Sequence, residues 1–358
     1  MNSNKLTIIT DSKNWMEGNA VNQAHEVSKL GGVVKAYAMP DLHAGKTPVG
    51  ITVTTEDIIY PHLIGTDIGC GMSTYAANIE KSKLKVDRWV SKLNTIKTLS
   101  AVPNEQYYHD CPIHDFGSLG SGNHFAEFQA VHKVYNSCLS GELGISAKEL
   151  YMTVHSGSRS YGSRILSKFG SYHGYAANSA EAEEYLTMHD DALMWASKNR
   201  DEAAAKIIAY LGFQKTPDKK LESFHNYLEL TDGLFYHRKG TVSSKHNAVF
   251  IAGSRGTLSY IVRPTPKCAE YGFSLAHGSG RKWARSMCKS RVRNKYDNAN
   301  IDIKHNRYNG QLVCHDYDLL FEEAPEAYKN VESIIGILQE YGMIEIIVAM
   351  YPVLTVKI

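Results

Sequence analysis

The 358 residues of this chain are long enough to bury a large core, and 39 basic against 37 acidic side chains leave a formal net charge of only +2. This balance excludes a protein that is polycationic over its whole surface, so a polyanionic partner must meet a local patch. The N-terminus has no secretory signal pattern, and the most apolar stretch, residues 343–354, is short and interrupted by Glu345 and Pro352, which predicts no membrane span.

Short β-rich runs separated by Gly, Pro and Asp turns dominate the first third of the chain. The predicted strands in the first half are residues 5–10, 33–39, 49–55, 72–77 and 149–157. A long helix is predicted from Ala180 to Leu211, because apolar residues recur there at steps of three and four. The segment QKTPDKK at 214–220 is interpreted as the end of a helical insertion and not as a linker between two domains.

The second half of the chain adds more strands and one further helix. We predict strands at 232–240, 248–253, 258–264 and 346–358, and a helix at 331–342. This order is mixed and lacks a regular βαβα alternation, which favours an α+β fold over a doubly wound parallel sheet. We therefore expect one large domain over residues 1–358, with a helical insertion at about 180–220.

The cysteines carry information about the compartment. The six are Cys70, Cys111, Cys138, Cys268, Cys288 and Cys314. They are widely spaced and include no CxxC pair, which argues against a disulfide framework and against a four-cysteine zinc site. We therefore expect a cytoplasmic protein.

A metal site is one interpretation of the turn GTDIGCG at 65–71, which presents Asp67 and Cys70. Loops rich in Gly, Ser, Asn or Arg carry four histidines: His124, His155, His225 and His277. A carboxylate, a thiolate and imidazoles suit a divalent transition metal, and a thiolate can bridge two ions. The alternative is an inert buried Cys70 beside a turn-capping Asp67, and the dispersed spacing does not decide between them.

Phosphate-binding features surround the same histidines. They are HSGSRSYGSR at 155–164, HRKG at 237–240, AGSRGTLS at 252–259 and HGSGRKWAR at 277–285. Each combines backbone N–H groups with Arg or Lys, a pairing that suits phosphate oxygens and favours a polyphosphate or nucleic-acid substrate. HAGKT at 43–47 is not a Walker A loop, because Pro40 stands where that motif needs a glycine.

The motifs from Pro40 to Arg281 are, in order, PDLHAGKTPVG, GTDIGCG, GSLGSGNHF, HSGSRSYG, FHN, HRKG, AGSRGTLSY and HGSGR, followed by Lys357 near the end of the chain. Together they resemble the RtcB family of RNA-splicing ligases. The resemblance implies that family's fold, with mixed β-sheets surrounded by helices around a central metal and GTP cleft. It also implies a GTP-dependent enzyme with two Mn²⁺ ions that joins RNA 3′-phosphate or 2′,3′-cyclic phosphate ends to 5′-hydroxyl ends.

The same resemblance implies roles for individual residues. The manganese ligands would be Asp67, Cys70, His124, His155 and His225, with Cys70 bridging the two ions. His277 would attack the α-phosphate of GTP to form a histidine–GMP intermediate; GMP then passes to the RNA 3′-phosphate and is displaced by the 5′-hydroxyl. The residues implied to hold the guanylate are Asn123, Glu127, Asn226, Ala252, Gly253, Ser254, Arg255, Ser259, Gly278, Ser279, Gly280 and Lys357.

Some motifs depart from the commoner family forms: HGSGR replaces HGAGR, FHN replaces AHN, and TDIGCG replaces FDINCG. With DLHAGKTPVG, they resemble the bacterial branch encoded beside peptide release factor H, which implies RNA repair; dependence on an accessory protein such as archease is left open. Two other functions also stay open. One is a dinuclear phosphohydrolase or cyclic phosphodiesterase without ligation, and the other is a catalytically silent RNA-binding module.

Overall fold

Two β-sheets and two strand pairs form the framework of the computed structural model, which describes residues 5–99, 116–299 and 302–358. The strands are β1 (Leu6–Ile8), β2 (Val33–His43), β3 (Val49–Thr55), β4 (Ile58–Ile59), β5 (Gly71–Glu80), β6 (Phe125–Val134), β7 (Glu149–Ser156), β8 (Tyr175–Ala176), β9 (Asp218–Phe224), β10 (Asn226–Thr231), β11 (Leu234–Lys239), β12 (Thr241–Ser243), β13 (Val249–Ile251), β14 (Ser259–Pro264), β15 (Ser274–Ala276), β16 (Gln311–Cys314) and β17 (Ile344–Lys357). The α-helices are α1 (Gly18–Ser28), α2 (Pro61–Ile64), α3 (Val86–Leu93), α4 (Ser137–Glu142), α5 (Ser160–Phe169), α6 (Ala180–Leu211), α7 (Arg285–Ala299), α8 (Tyr317–Glu322) and α9 (Val331–Glu340).

The larger sheet has eight strands, of which seven lie in the order β13-β14-β17-β6-β7-β5-β9 and the eighth, β16, pairs with β17. Every pair is antiparallel except β16 with β17. The first seven residues of β5 are all buried, which is why its sequence reads as a continuous run of small and apolar residues without alternation. Pro352 is tolerated inside the long strand β17 because the register shifts there.

The smaller sheet has the order β1-β2-β3-β11-β10, with β1 parallel to β2 and the other pairs antiparallel. Two separate pairs complete the framework, β12 with β15 and β4 with β8. Strand β2 extends through the sequence PDLH at 40–43, so the first of the family-like motifs lies in this sheet.

The long helix α6 covers the residues that the sequence predicts. The Ser179 hydroxyl accepts a hydrogen bond from the N–H of Ala182 at its start, and Gly212 ends it with a left-handed φ of 96°. Its apolar face joins the core against the larger sheet, where Ile207 packs in one cluster with Trp89 and Phe128. Whether residues 180–220 are an insertion relative to other proteins stays a prediction.

The α+β fold is confirmed, and most of the predicted strands are present. Residues 218–220, predicted to end the helical insertion, already belong to β9. Strand β6 was not predicted, because its buried polar residues Glu127 and Gln129 hide its apolar pattern. Cys111 lies outside the described residues, and no helix within them is long and apolar enough to cross a membrane.

Candidate metal centre and nucleophile

Four of the five predicted metal donors lie in or directly beside four neighbouring strands of the larger sheet, β6, β7, β5 and β9. Cys70 immediately precedes β5 and His124 precedes β6, whereas His155 is the penultimate residue of β7 and His225 follows the end of β9. These strands are antiparallel to their neighbours, so the starts of β5 and β6 lie beside the ends of β7 and β9. Residues far apart in the sequence therefore meet at one edge of the sheet.

The donor atoms form a continuous series of contacts with Cys70 in its middle. The Cys70 Sγ lies 3.4 Å from Nε2 of His124 and 3.2 Å from Nε2 of His155. On one side, Oδ2 of Asp67 lies 2.9 Å from Nε2 of His124. On the other, the Nε2 atoms of His155 and His225 lie 3.3 Å apart.

This donor set fits a divalent transition metal. Metal–nitrogen and metal–sulfur bonds of about 2.0–2.3 Å place two ligands of one ion about 3.5 Å apart, close to the distances here. The ligand atoms of Cys70, His124 and His155 all lie within 4.8 Å of one another. Burial, reinforced by nearby imidazoles, lowers the pKa of His155 and of His225 well below the ordinary value, so both rings keep a lone pair for a metal.

The charged members of the set respond to burial in different ways. Burial and the adjacent Asp67 raise the pKa of the Cys70 thiol well above its usual value, so the thiolate needs a nearby cation. Burial also opposes ionisation of Asp67, but the charge and hydrogen bond of His124 hold the pKa of that carboxyl below its usual range. A Cβ on Gly157 would come within 2.3 Å of the Asp67 carboxylate, so a glycine is needed beside it.

Helix α6 holds the backbone on both sides of this cluster through Arg200. Its fully buried guanidinium donates from Nη1 to the carbonyls of Gly69, at 2.9 Å, and Ser156, at 2.6 Å. Gly69 directly precedes Cys70 and Ser156 directly follows His155. One side chain therefore fixes the loop ends that carry two of the predicted donors.

Asn199, the preceding residue of α6, holds a third loop. Its Oδ1 accepts hydrogen bonds from the N–H groups of Gly117 (2.7 Å) and Ser118 (3.2 Å), at the start of the segment that leads to His124. Its Nδ2 donates to Oγ of Ser156 at 2.8 Å. Sequence analysis did not identify Asn199 or Arg200. The available signal was that these two adjacent polar residues interrupt the apolar face of α6 between buried alanines.

His277 follows β15 and lies next to the donor cluster, with its ring centroid 4.8 Å from that of His225. Its Nδ1 lies 2.7 Å from Oδ2 of the fully buried Asp41 in β2. The two groups are close enough for a hydrogen bond, but no described residue gives Nδ1 of His277 or the Asp41 carboxylate a well-aligned one. Asp41 stands inside the quoted motif PDLHAGKTPVG, but sequence analysis gave it no role.

A cleft of about 340 Å³ opens over these groups, within the size range of small-molecule sites. The predicted site residues that line it are Asp67, Cys70, Asn123, Glu127, His155, His225, Asn226, Ala252, Gly253, Ser254, Arg255, His277, Gly278, Ser279, Gly280 and Lys357. The two others, His124 and Ser259, are buried and do not line the cleft. The Ser259 hydroxyl accepts a hydrogen bond from the N–H of Gly253 at 3.0 Å and so supports the lining turn.

Several of the predicted guanylate residues are already engaged in internal contacts. Lys357 Nζ donates to the carbonyls of Gly122 and His124, each at 2.8 Å. The Arg255 guanidinium donates to the carbonyls of Ile303 (2.6 Å), Leu320 (3.0 Å) and Glu323 (3.1 Å), which leaves mainly the backbone of Arg255 for a ligand. Burial raises the pKa of Glu127 to about 7, even though its carboxylate accepts a 2.6 Å hydrogen bond from Thr355.

Four cationic side chains belong to the motifs that sequence analysis interpreted as phosphate-binding, although it did not name them individually. Lys239, Arg281 and Arg285 line the cleft. Arg159 places Nη1 3.2 Å from Nδ1 of His124. Arg281 and Arg285 lie within ion-pair distance of Glu323, which also lines the cleft, whereas Lys239 has no carboxylate at that distance among the described residues. Cations at this place suit a phosphate-bearing ligand.

Comparisons with known proteins agree with this geometry. The sequence profile of the family described as tRNA-splicing ligase RtcB matches residues 23–109 and 95–358. The chain is 34% identical to the RNA-splicing ligase RtcB2 of Escherichia coli, over 98% of this chain and 95% of that protein. It is 26% identical to the tRNA-splicing ligases RtcB of Archaeoglobus fulgidus, over 94% of this chain and 90% of that protein, and of Nanoarchaeum equitans, over 95% and 92%.

Proposed function

Since the chain belongs to the RtcB family of RNA ligases, we propose that it joins RNA 3′-phosphate or 2′,3′-cyclic phosphate ends to 5′-hydroxyl ends, with GTP and Mn²⁺. One observation carries this proposal: a contiguous cluster of five metal-type donors, four of which line the cleft, lies beside a histidine next to a buried carboxylate and beside glycine-rich turns. A hydrolase needs the donors alone, whereas a guanylyl-transferring ligase also needs the histidine and a nucleotide site.

The donors divide into two groups that share Cys70. The contacts support Asp67 and His124 with Cys70 for one ion, and His155 and His225 with Cys70 for the other. The two bound ions would supply positive charge that stabilises the transferring phosphoryl group.

His277 acts as the nucleophile in this proposal. The Asp41 carboxylate lies 2.7 Å from Nδ1, which leaves Nε2 as the ring nitrogen proposed to attack. Attack by Nε2 on the α-phosphate of GTP forms the histidine–GMP bond and releases pyrophosphate. An oxygen of the RNA 3′-phosphate then takes GMP from the imidazole.

The final step joins the two RNA ends. The 5′-hydroxyl oxygen attacks the activated 3′-phosphate, and GMP leaves as a stable phosphate anion where an unactivated monoester would have to expel an oxide. A 2′,3′-cyclic end must first be opened by water to the 3′-phosphate.

The guanylate would lie on the turns at 252–255 and 277–280, which meet through a bridge between Ala252 and Gly278. Gly280 has a left-handed φ of 67°, and a Cβ there would come within 2.2 Å of the Asp41 carbonyl oxygen. Its glycine therefore lets the nucleophile loop approach β2, and such turns present N–H groups to phosphate.

The biological setting is part of the same proposal. The forms GTDIGCG and DLHAGKTPVG support the RNA-repair branch coupled to release factor H. The cytoplasmic location rests on the dispersed cysteines.

The test is ligation of a cleaved RNA stem-loop in which one end carries a labelled 2′,3′-cyclic phosphate and the other end carries a 5′-hydroxyl. With Mn²⁺ and GTP, we expect a joined product whose junction contains the labelled phosphate of the 3′ end. Release of that phosphate without joining, at a rate independent of GTP, would instead establish the phosphohydrolase. Binding without any change in the RNA would establish the silent module.

A further inference from the structure

A second cleft adjoins the first along Tyr328, which lines both. It has a volume of about 510 Å³, and we call it the tryptophan groove. Its lining residues include Lys13, Trp15, Lys282, Trp283 and Arg307. None of the residues assigned above to metal, guanylate or nucleophilic attack lines it. It is therefore a separate surface that continues directly from the cleft.

Trp15 presents an exposed aromatic face in this groove. Its side chain is 52% exposed, and it has no aromatic partner in the described part of the chain. Its turn is nevertheless ordered, because Oδ1 of Asp11 accepts from the N–H groups of Lys13 (2.9 Å) and Asn14 (2.7 Å). The Asn14 amide donates to the carbonyl of Pro40 at 3.0 Å, which ties the turn to the strand of Asp41.

Trp283 differs, because its ring is already in contact with cations. The Lys282 Nζ lies 5.5 Å and the Arg291 guanidinium carbon 5.2 Å from its centroid. Trp15 is therefore the tryptophan with a face available for a ligand.

The groove is also positively charged. Its carboxylates are neutralised by ion pairs, Glu326 with Lys295 at 2.6 Å and Glu332 with Arg307 at 3.5 Å. Lys13 and Lys282 have no carboxylate within ion-pair distance among the described residues. Between residues 281 and 295, five of the seven Arg and Lys side chains are ion-paired with carboxylates, so the available positive charge of the groove comes mainly from Lys13 and Lys282.

We propose that the tryptophan groove binds the single-stranded RNA that leads to the joined ends, with a nucleobase stacked on Trp15 and phosphates near Lys13 and Lys282. This inference rests on the proposed function. Aromatic faces for bases beside cations for the backbone are the usual means of binding single strands without sequence preference. An acidic protein segment would use the cations but would have no need of a bare tryptophan beside the reaction cleft.

The experiment separates RNA binding from reaction with GTP. Trp15→Ala, Trp15→Phe and Lys13→Gln/Lys282→Gln are compared with the wild type in guanylylation without RNA and in ligation at varied RNA concentration. The matched control is Lys133→Ala/Tyr135→Ala, which removes an exposed aromatic beneath a lysine that lines neither cleft.

We expect Trp15→Ala to raise the KM for RNA by about fivefold or more, the smallest effect of losing one stacked base, with guanylylation unchanged. Trp15→Phe should retain most of the affinity. The double lysine variant should lower the slope of log KM against log salt by about 1.4, because each single-strand phosphate contact accounts for about 0.7. The control should match the wild type.

Wild-type KM in Trp15→Ala and in the lysine variant would overturn the inference while leaving the proposed function intact. Equal losses of guanylylation and ligation would also overturn it, because the groove would then support the nucleotide step. If the wild type itself does not ligate, the proposed function fails. Quenching of the fluorescence of the wild type by a single-stranded oligonucleotide, reduced in Trp15→Phe, then tests the groove alone.

Discussion

At the residue scale, Cys70 stands between two histidines of the donor cluster. Its sulfur lies within 3.4 Å of an imidazole on each side, and each of these imidazoles contacts a further donor. A sulfur in that position can bind to two ions at once.

We predict that Cys70→Ala loses both manganese ions, because neither group of donors is complete without the shared sulfur. Metal content after dialysis, measured by mass spectrometry, tests this expectation. Cys138→Ala removes an exposed thiol outside the cluster and should retain both ions. Two tightly bound ions in Cys70→Ala would refute the bridging role.

Glu127 gives a prediction about stability and pH. Burial raises its pKa to about 7 in the folded protein, from an ordinary value of 4.5. The folded state therefore keeps a proton that the unfolded chain releases. The resulting contribution of Glu127 to the free energy of unfolding is fully present below about pH 4.5 and is lost as the pH rises to about 7.

In the metal-free protein, we expect the free energy of unfolding of the wild type to fall as the pH rises from 4.5 to 7.5, by on the order of 3 kcal/mol more than that of Glu127→Gln. Urea unfolding across this range measures the difference between wild type and variant. Glu340→Gln, at an exposed position, is the control. Parallel pH profiles for the wild type and Glu127→Gln would contradict the assigned titration.

Functional residues that stand in recognisable motifs could be predicted from the sequence. Residues that act through tertiary contacts could not. His277 stands in a phosphate-type loop that the sequence displays. Asp41 becomes important only because β2 places it 2.7 Å from the His277 ring, a contact between residues of different strands. The engagement of Arg255 with three carbonyls was equally invisible.

At the element scale, α6 is the support for the donor loops. Arg200 and Asn199 together hold the backbone before Cys70, after His155 and ahead of His124. Partners of this kind orient ligands without touching the metal.

We predict that Asn199→Ala weakens metal binding by about 10- to 100-fold, because the loops lose their common anchor. Titration of the apoprotein with Mn²⁺ provides the measurement. Met194→Ala changes an exposed position of the same helix and serves as the control. Wild-type metal affinity in a destabilised Asn199→Ala would assign the residue a role in folding alone.

Elements with a clear period were predictable, and elements with a polar interior were not. Helix α6 was predicted at about its observed bounds, because its apolar face repeats along its 32 residues. The strand β6 carries Glu127 and Gln129 on buried positions, so its pattern resembles that of a surface segment. Its partners in the sheet supply the hydrogen bonds that make such burial possible, and no local sequence rule contains them.

At the scale of the whole molecule, the cleft joins three parts of the framework. The larger sheet supplies the metal donors, the pair β12 and β15 supplies His277, and the smaller sheet supplies Asp41. His124 lies 54 residues and His155 lies 85 residues from Cys70 in the sequence, so no spacing rule links these donors. Sheet order, which depends on long-range pairing, brings them together.

The small net charge led us to expect a local patch for a polyanion. The structure places Lys282 and Arg291, which are exposed and have no ion-pair partner among the described residues, shortly after the nucleophile loop. Sequence composition could require such a patch but could not place it next to the cleft.

The central claim is that His277 carries GMP, and labelling with GTP marked at the α-phosphate in the presence of Mn²⁺ tests it most directly. We predict that the wild type and His132→Ala, a change at an exposed histidine of β6, become labelled equally and pass the label to RNA 3′-phosphate ends. His277→Ala should remain unlabelled while keeping its bound metal. Equal labelling of His277→Ala would contradict the account.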